Sequence, residues 1–324
     1  DEINAAGGLN GVKFRLEVTD DMHDATKVAT NYASLLEKGM QVSLGCVTSA
    51  PCAEWTNLSH EDNVFFITPS ASNDDIPKYD NGYQMCFADG NQGEAAAKYV
   101  NENFKGQTIG IFYKSDDNYS SGIFKQFKKN LDSSVKVVET LFTDAGATSF
   151  DSQINELKDC KFIFMPIYYT PATIFMTQAK GKIADDAVYY GCDGFDGIDS
   201  TKGFDIKSIP QEVSMLSHFD SSATTGAAGD FIKKYTEKYG KETLNQFGAS
   251  AYDCVYAIYG AMKEAKVDDV TISASDLCDI LKDTFKNFKL KNAVTGGGSD
   301  VSWDKGGTVN KNAIKFVIKK ADNA

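Results

Sequence analysis

Short apolar runs recur along this chain between amphipathic helical stretches, and that alternation leaves few folds open. From residue 90 onward the pattern predicts a helix over 92–103, a strand over 107–113, a helix over 120–131 and a strand over 135–142. It continues with a helix over 151–158, a strand over 161–166, a helix over 171–181 and a strand over 187–191. An earlier block has the same rhythm: a strand over 12–19, a helix over 22–39, a short strand at Val42-Ser43-Leu44, a helix over 50–61 and a strand at Val64-Phe65-Phe66-Ile67. Strands that alternate with helices in this way build parallel sheets covered on both faces. Tyr83-Gln84-Met85-Cys86-Phe87 reads as an extended crossover between the blocks. A strand near 213–217, helices at 225–239, 247–266 and 274–285, and an alternating tail at 313–318 complete the pattern. With 324 residues, two lobes are expected rather than one core.

Composition narrows the function. Lys and Arg number 33 against 45 Asp and Glu, a net charge of −12, which disfavours nucleic-acid binding. Arg15 is the single arginine, so a carboxylate-binding site elsewhere must use hydroxyls and backbone N–H groups. No run approaches the ~20 apolar residues of a membrane span. The seven cysteines contain no CxxC pair, which gives zinc or dithiol redox chemistry no support. Cys46 and Cys52 are close enough in sequence to pair, although buried free thiols are the simpler reading.

The first eleven residues, Asp1-Glu2-Ile3-Asn4-Ala5-Ala6-Gly7-Gly8-Leu9-Asn10-Gly11, begin inside a helix and close it with a glycine pair. An alternating stretch from Val12 to Val18 follows and ends at Asp20-Asp21. This helix–GG–strand unit resembles the start of the amino-acid-binding receptors of the type I periplasmic-binding-protein fold, whose best-known members bind leucine, isoleucine and valine for ABC importers. The resemblance covers essentially the whole chain. It implies an α/β protein of two doubly wound parallel-sheet lobes joined by three crossovers, with the first strand of the fold missing from this chain. The expected lobes are 1–89 plus 219–300, and 90–218 plus 301–324.

The family's binding pattern maps onto five segments, all at predicted strand C-termini, where open α/β sheets bind ligands. In Leu44-Gly45-Cys46-Val47-Thr48-Ser49, Ser49 matches the serine that holds the ligand α-carboxylate. A helix start favours an anion there, and a simple N-cap is the plainer alternative. In Phe65-Phe66-Ile67-Thr68-Pro69-Ser70-Ala71-Ser72, the resemblance assigns Ser72 a second carboxylate contact and the Ser70 carbonyl to the ligand ammonium. A polar turn after a buried strand is the alternative. In Ser115-Asp116-Asp117-Asn118-Tyr119-Ser120-Ser121-Gly122, Tyr119 occupies the position of a tyrosine that closes over the ligand. Ser120 departs from the family's glycine there, and the acids read as solvated loop residues because calcium-loop spacing is absent. Tyr168 aligns with a second tyrosine, and a one-residue slip would choose Tyr169. Asp193, in Tyr190-Gly191-Cys192-Asp193-Gly194, matches the acid that receives the ligand ammonium. An exposed loop acid beside Asp196 and Asp199 is the alternative.

Catalysis has little support. The chain lacks a G-x-S-x-G elbow, a P-loop, HExxH and a dinucleotide fingerprint. His23, His60 and His218 stand beside no plausible nucleophile and read as surface or capping residues. The expectation is therefore a non-enzymatic, extracytoplasmic solute-binding protein, periplasmic or lipid-anchored at the outer face of a Gram-positive membrane. It would need no cofactor or metal, act as a monomer, close its lobes on a free L-α-amino acid of branched-chain or apolar type, and pass it to a membrane permease. A sensory ectodomain of the same fold and an α/β enzyme remain the alternatives.

Overall fold

The computed structural model describes every residue except 145, 298, 312, 323 and 324. The chain divides into two compact units: Asp1–Ala88, Ala223–Phe231 and Phe247–Lys311 form unit 1, and Asp89–Ser222, Ile232–Gln246 and Asn312–Ala324 form unit 2. The segment 301–324 is thereby split. Val301 and Trp303 belong to the unit 1 core, where the Trp303 indole lies 5.0 Å from the Phe285 ring and donates to the Gln84 carbonyl at 2.7 Å.

Unit 2 holds a six-stranded sheet in the order β10-β7-β6-β5-β3-β4. Its strands are β3 (Thr108–Lys114), β4 (Lys136–Phe142), β5 (Phe162–Met165), β6 (Val188–Gly191), β7 (Glu212–Ser217) and β10 (Ile314–Lys319). All neighbours are parallel except β10, which runs antiparallel to β7. Helices α4 (Asp89–Asn103), α5 (Asn118–Asn130), α6 (Asp151–Leu157) and α7 (Tyr169–Ala179) alternate with these strands. Phe162, Ile163, Phe164 and Met165 are all buried, as a strand covered on both faces requires. The crossovers place the loops after β3, β5 and β6 at one end of the sheet.

Unit 1 is built around α1 (Glu2–Ala5), α2 (Val28–Glu37), α3 (Ser49–Glu61), a parallel pair β1 (Phe66–Thr68) and β2 (Gly82–Gln84), and α10 (Ala274–Phe285). A short antiparallel pair, β8 (Lys289–Leu290) and β9 (Val301–Ser302), completes it. Helices α8 (Gly226–Tyr239) and α9 (Gln246–Glu264) contribute residues to both units. Within unit 1 the Lys311 amine is buried and donates to the Met85 carbonyl at 2.7 Å and to Thr295 Oγ1. Burial lowers its pKa to about 8.

The alternation at 12–19 does not produce a strand. The segment has no regular structure, the backbone groups of Leu16, Glu17, Val18 and Thr19 make no hydrogen bond among the described residues, and Leu16 and Val18 are 73% and 74% exposed. A strand needs a neighbour for its ladder, and none lies beside this one. Across a cavity of about 690 Å³ lie Val42 and Leu44. Of the predicted strand there, only Ser43 pairs, bridging Phe66. The cysteine expectation is also corrected: Cys46 and Cys52 form a disulfide with Cα atoms 5.3 Å apart, while the other five cysteines are buried and outside any disulfide. His218 is a further correction, since it is buried at the end of β7 rather than on the surface.

Candidate functional site

In unit 1 the turn before α3 and the end of β1 are laced together by side chain to backbone bonds. Gly45 turns the chain with φ +65°, and a Cβ there would press against the Phe66 ring at 3.2 Å. Beyond it, Thr68 Oγ1 donates to the Cys46 carbonyl at 2.7 Å, the Ser70 hydroxyl donates to the Val47 carbonyl, and Asn73 N–H donates to Ser49 Oγ at 3.2 Å. Ser49 is the first residue of α3, one position past its N-cap Thr48, so the plain N-cap alternative does not describe it. Ser49, Ser70 and Ser72 are all buried. The Ser72 hydroxyl has no hydrogen-bond partner among the described residues, an arrangement that costs about 1–3 kcal/mol unless something outside the chain satisfies it. The Cys46–Cys52 bridge closes the loop that carries Ser49.

Sequence reasoning missed the residue that shapes this turn. Gln84, at the end of β2 and fully buried, donates from Nε2 to the carbonyls of Ala71 (3.0 Å) and Asn73 (2.9 Å). An uncharged polar residue inside an apolar run, Tyr83-Gln84-Met85, was the available signal.

In unit 2 the loops after β3, β5 and β6 bring Tyr119, Tyr168 and Asp193 together. Asp117 caps α5 by accepting from Ser120 N–H at 2.9 Å and is buried, so it is not the solvated loop acid expected from the sequence. That cap sets Tyr119 in the first helical turn. Its hydroxyl donates to Asp193 Oδ1 at 2.6 Å and accepts from Gly194 N–H at 2.8 Å. Its ring stacks on Tyr168 with centroids 4.7 Å apart and planes 18° apart, whereas Tyr169 is 40% exposed. A Cβ on Gly194 would stand 2.8 Å from the Tyr119 hydroxyl and 3.0 Å from the Ile167 carbonyl, so the approach needs glycine.

Asp193 opens a one-turn 3₁₀ helix, Asp193–Phe195, and is only 2% exposed. Its N–H donates to Gln92 Oε1 at 3.0 Å, and its carbonyl accepts from Gln246 Nε2 at 3.2 Å. No Lys, Arg or His pairs with it among the described residues. Burial lifts its pKa to about 6, against the Tyr119 bond that favours the carboxylate. Asp196 is likewise pushed up to about 6 by burial. Burial, then the neighbouring Asp193 charge, holds the Tyr119 hydroxyl protonated well above its ordinary range. A buried carboxylate with neutral partners is chemically suited to a cation. Among the described residues no cluster of three or more His, Cys, Asp and Glu could hold a metal ion, and no helix is long and apolar enough to cross a membrane.

Each unit thus carries its own cluster of buried polar groups, serine hydroxyls before and in α3 and after β1 in unit 1, and an acid on the loops over a mostly parallel sheet in unit 2, where open α/β proteins bind ligands. Residues 1–309 match the periplasmic binding protein family, and the chain belongs to it. This is a family of substrate-binding proteins rather than enzymes. A curated relative, the leucine-, isoleucine-, valine-, threonine- and alanine-binding protein of Pseudomonas aeruginosa, is 28% identical over 201 residues, 60% of this chain and 53% of the relative. The chain thus spans about half the length of the first curated relatives it matches. Among solved structures, the leucine-binding protein LivK of Thermotoga maritima superposes with TM-score 0.84 at 20% identity, over 99% of this chain and 89% of that one. The branched-chain amino acid binding protein LivJ of Streptococcus pneumoniae, in complex with isoleucine, gives 0.79 at 24% identity over 97% and 91%. A solute-binding protein of Rhodopseudomonas palustris in complex with benzoate gives 0.80 at 15% over 98% and 86%. At these identities the likeness establishes the type I periplasmic-binding fold, and ligands differ within it.

Proposed function

We propose that this chain is the binding component of an ABC importer and captures a free L-α-amino acid with an apolar, branched side chain. In this reading Ser49, Ser72 and neighbouring N–H groups take the carboxylate, while the Ser70 carbonyl and Asp193 take the ammonium. Tyr119 and Tyr168 supply an apolar wall and exclude water. Ligand capture engages both half-sites and favours a closed arrangement of the lobes, from which the solute passes to a membrane permease.

The observation that carries this reading is Asp193, a carboxylate 2% exposed whose pKa is lifted to about 6 and whose hydrogen-bond partners among the described residues, Tyr119, Gln92 and Gln246, are all neutral. A ligand ammonium would complete it, and an aromatic acid such as benzoate would not. The orphaned Ser72 hydroxyl supports an acceptor arriving at the other end of the ligand. The family favours an extracytoplasmic location, and we extend this to a periplasmic or lipid-anchored protein that acts as a monomer.

A thermal-shift screen of refolded, ligand-stripped protein tests the reading. The twenty amino acids and benzoate form the panel. Stabilisation by leucine, isoleucine or valine is expected. Stabilisation by benzoate alone would overturn the amino-acid assignment.

A further inference from the structure

The acid of the candidate site is held from behind by Gln246, which the proposed ligand contacts do not use. Gln246 is fully buried and is the last residue of unit 2 before the chain passes into unit 1 at Phe247. Three of its groups are engaged inside unit 2. Its backbone N–H donates to Asp196 Oδ2 at 2.7 Å, its Nε2 donates to the Asp193 carbonyl at 3.2 Å, and its Oε1 lies 3.3 Å from the Ser217 hydroxyl. Ser217 ends β7, a few residues before the chain again leaves unit 2 after Ser222. One residue therefore connects both ends of the Asp193–Asp196 turn, Asp196 through its backbone N–H and Asp193 through its side chain, to two segments that lead out of the unit.

The residue type fits that role. An amide offers a donor and an acceptor with no charge, so it can satisfy a buried carbonyl and approach a buried hydroxyl without competing for a cation. Lysine in its place would neutralise the turn, and a hydrocarbon would leave the Asp193 carbonyl without this donor. The titratable groups around Asp193 are Tyr119, Cys192 and Asp196, none of them cationic.

We propose that Gln246 is a positioning residue for Asp193, fixing the acid's turn against the points where the chain leaves unit 2. The function of the turn as an ammonium site rests on the amino-acid reading above, but the positioning role can be tested without it.

The test uses Gln246→Glu and Gln246→Met in the full chain. ¹³C-carboxyl NMR of aspartate-labelled, ligand-free protein follows the titration of Asp193, and calorimetry follows leucine binding. A carboxylate at 246 places a like charge beside the turn, so the Asp193 midpoint should rise by about one pH unit or more in Gln246→Glu. Gln246→Met adds no charge and should leave the midpoint within a few tenths of a unit, while leucine affinity falls about tenfold with circular dichroism unchanged. An Asp193 midpoint unmoved in folded Gln246→Glu, or full leucine affinity in Gln246→Met, overturns the proposal. If the wild type binds no amino acid, the chemical shifts of Asp193 in Gln246→Met decide the positioning role, unmoved shifts overturning it, and only the ligand reading fails. If Gln246→Glu does not fold, the neutral variant decides through affinity, and through the position of the Asp193 signal where leucine does not bind.

Discussion

Replacing Asp193 by asparagine should make the ligand-free protein more stable while abolishing its proposed function. Asparagine has nearly the same shape and keeps an oxygen for the Tyr119 hydroxyl, which lies 2.6 Å from Asp193 Oδ1. What it removes is a charge held in a site 2% exposed. The folded-state pKa of about 6 stands above the ordinary 3.8, so the folded protein holds this proton more tightly than the unfolded chain does. The ionised acid therefore costs stability, fully above pH 6, progressively less as pH falls from 6 to 4, and not at all below. Two pH units correspond to about 3 kcal/mol, and because the group is buried no discount for solvent screening applies. Asp193→Asn should thus gain up to about 3 kcal/mol at pH 7.5, a rise in Tm on the order of 5–10 °C for a body of this size. At pH 4 the two proteins should melt together. Scanning calorimetry of ligand-stripped wild type and variant between pH 4 and 8 measures this directly. A variant that melts below wild type at pH 7.5, or one whose advantage does not change with pH, would refute the argument that Asp193 is a desolvated, uncompensated charge.

Further predictions follow from individual contacts. Ser72→Ala removes a buried hydroxyl that has no partner among the described residues, so it should leave the ligand-free Tm unchanged or raised while weakening amino-acid affinity about 10- to 100-fold by calorimetry. Gly194→Ala puts a Cβ 2.8 Å from the Tyr119 hydroxyl and should cost about 1–3 kcal/mol in urea unfolding, with the near-ultraviolet tyrosine signal altered. Cys52→Ala opens the ring that carries Ser49 and should cost about 2 kcal/mol; a wild type that gains two alkylated thiols only after dithiol treatment would establish the bridge in solution.

The unit 2 sheet was legible because each strand is a short apolar run bounded by turns, and 162–165 or 188–191 can be covered on both faces by helices the same sequence encodes. The stretch 12–19 has an equally clear alternation and stays unpaired, since alternation describes the faces of a strand and says nothing of whether another backbone lies beside it. Trp303 was expected with the tail, yet its ring belongs with Phe285 and its indole with the Gln84 carbonyl, contacts more than two hundred residues apart in one case. The serines, tyrosines and acid of the candidate site were read from segments at strand ends. Gln84, Gln92 and Gln246 were not, because a glutamine's role depends on which distant carbonyl or N–H it meets. The disulfide was left open for a related reason: seven cysteines do not declare partners, and only the turn at Gly45 brings Cys46 over the first turn of α3.

The central claim is that Asp193 and the two serine-bearing turns hold the ends of an amino-acid zwitterion. Calorimetric titration of leucine into refolded, ligand-stripped wild type and Asp193→Ala tests it most directly. Saturable one-site binding to the wild type and none to the variant is the expected result. Silence from a folded, empty wild type, or undiminished binding to Asp193→Ala, would contradict it.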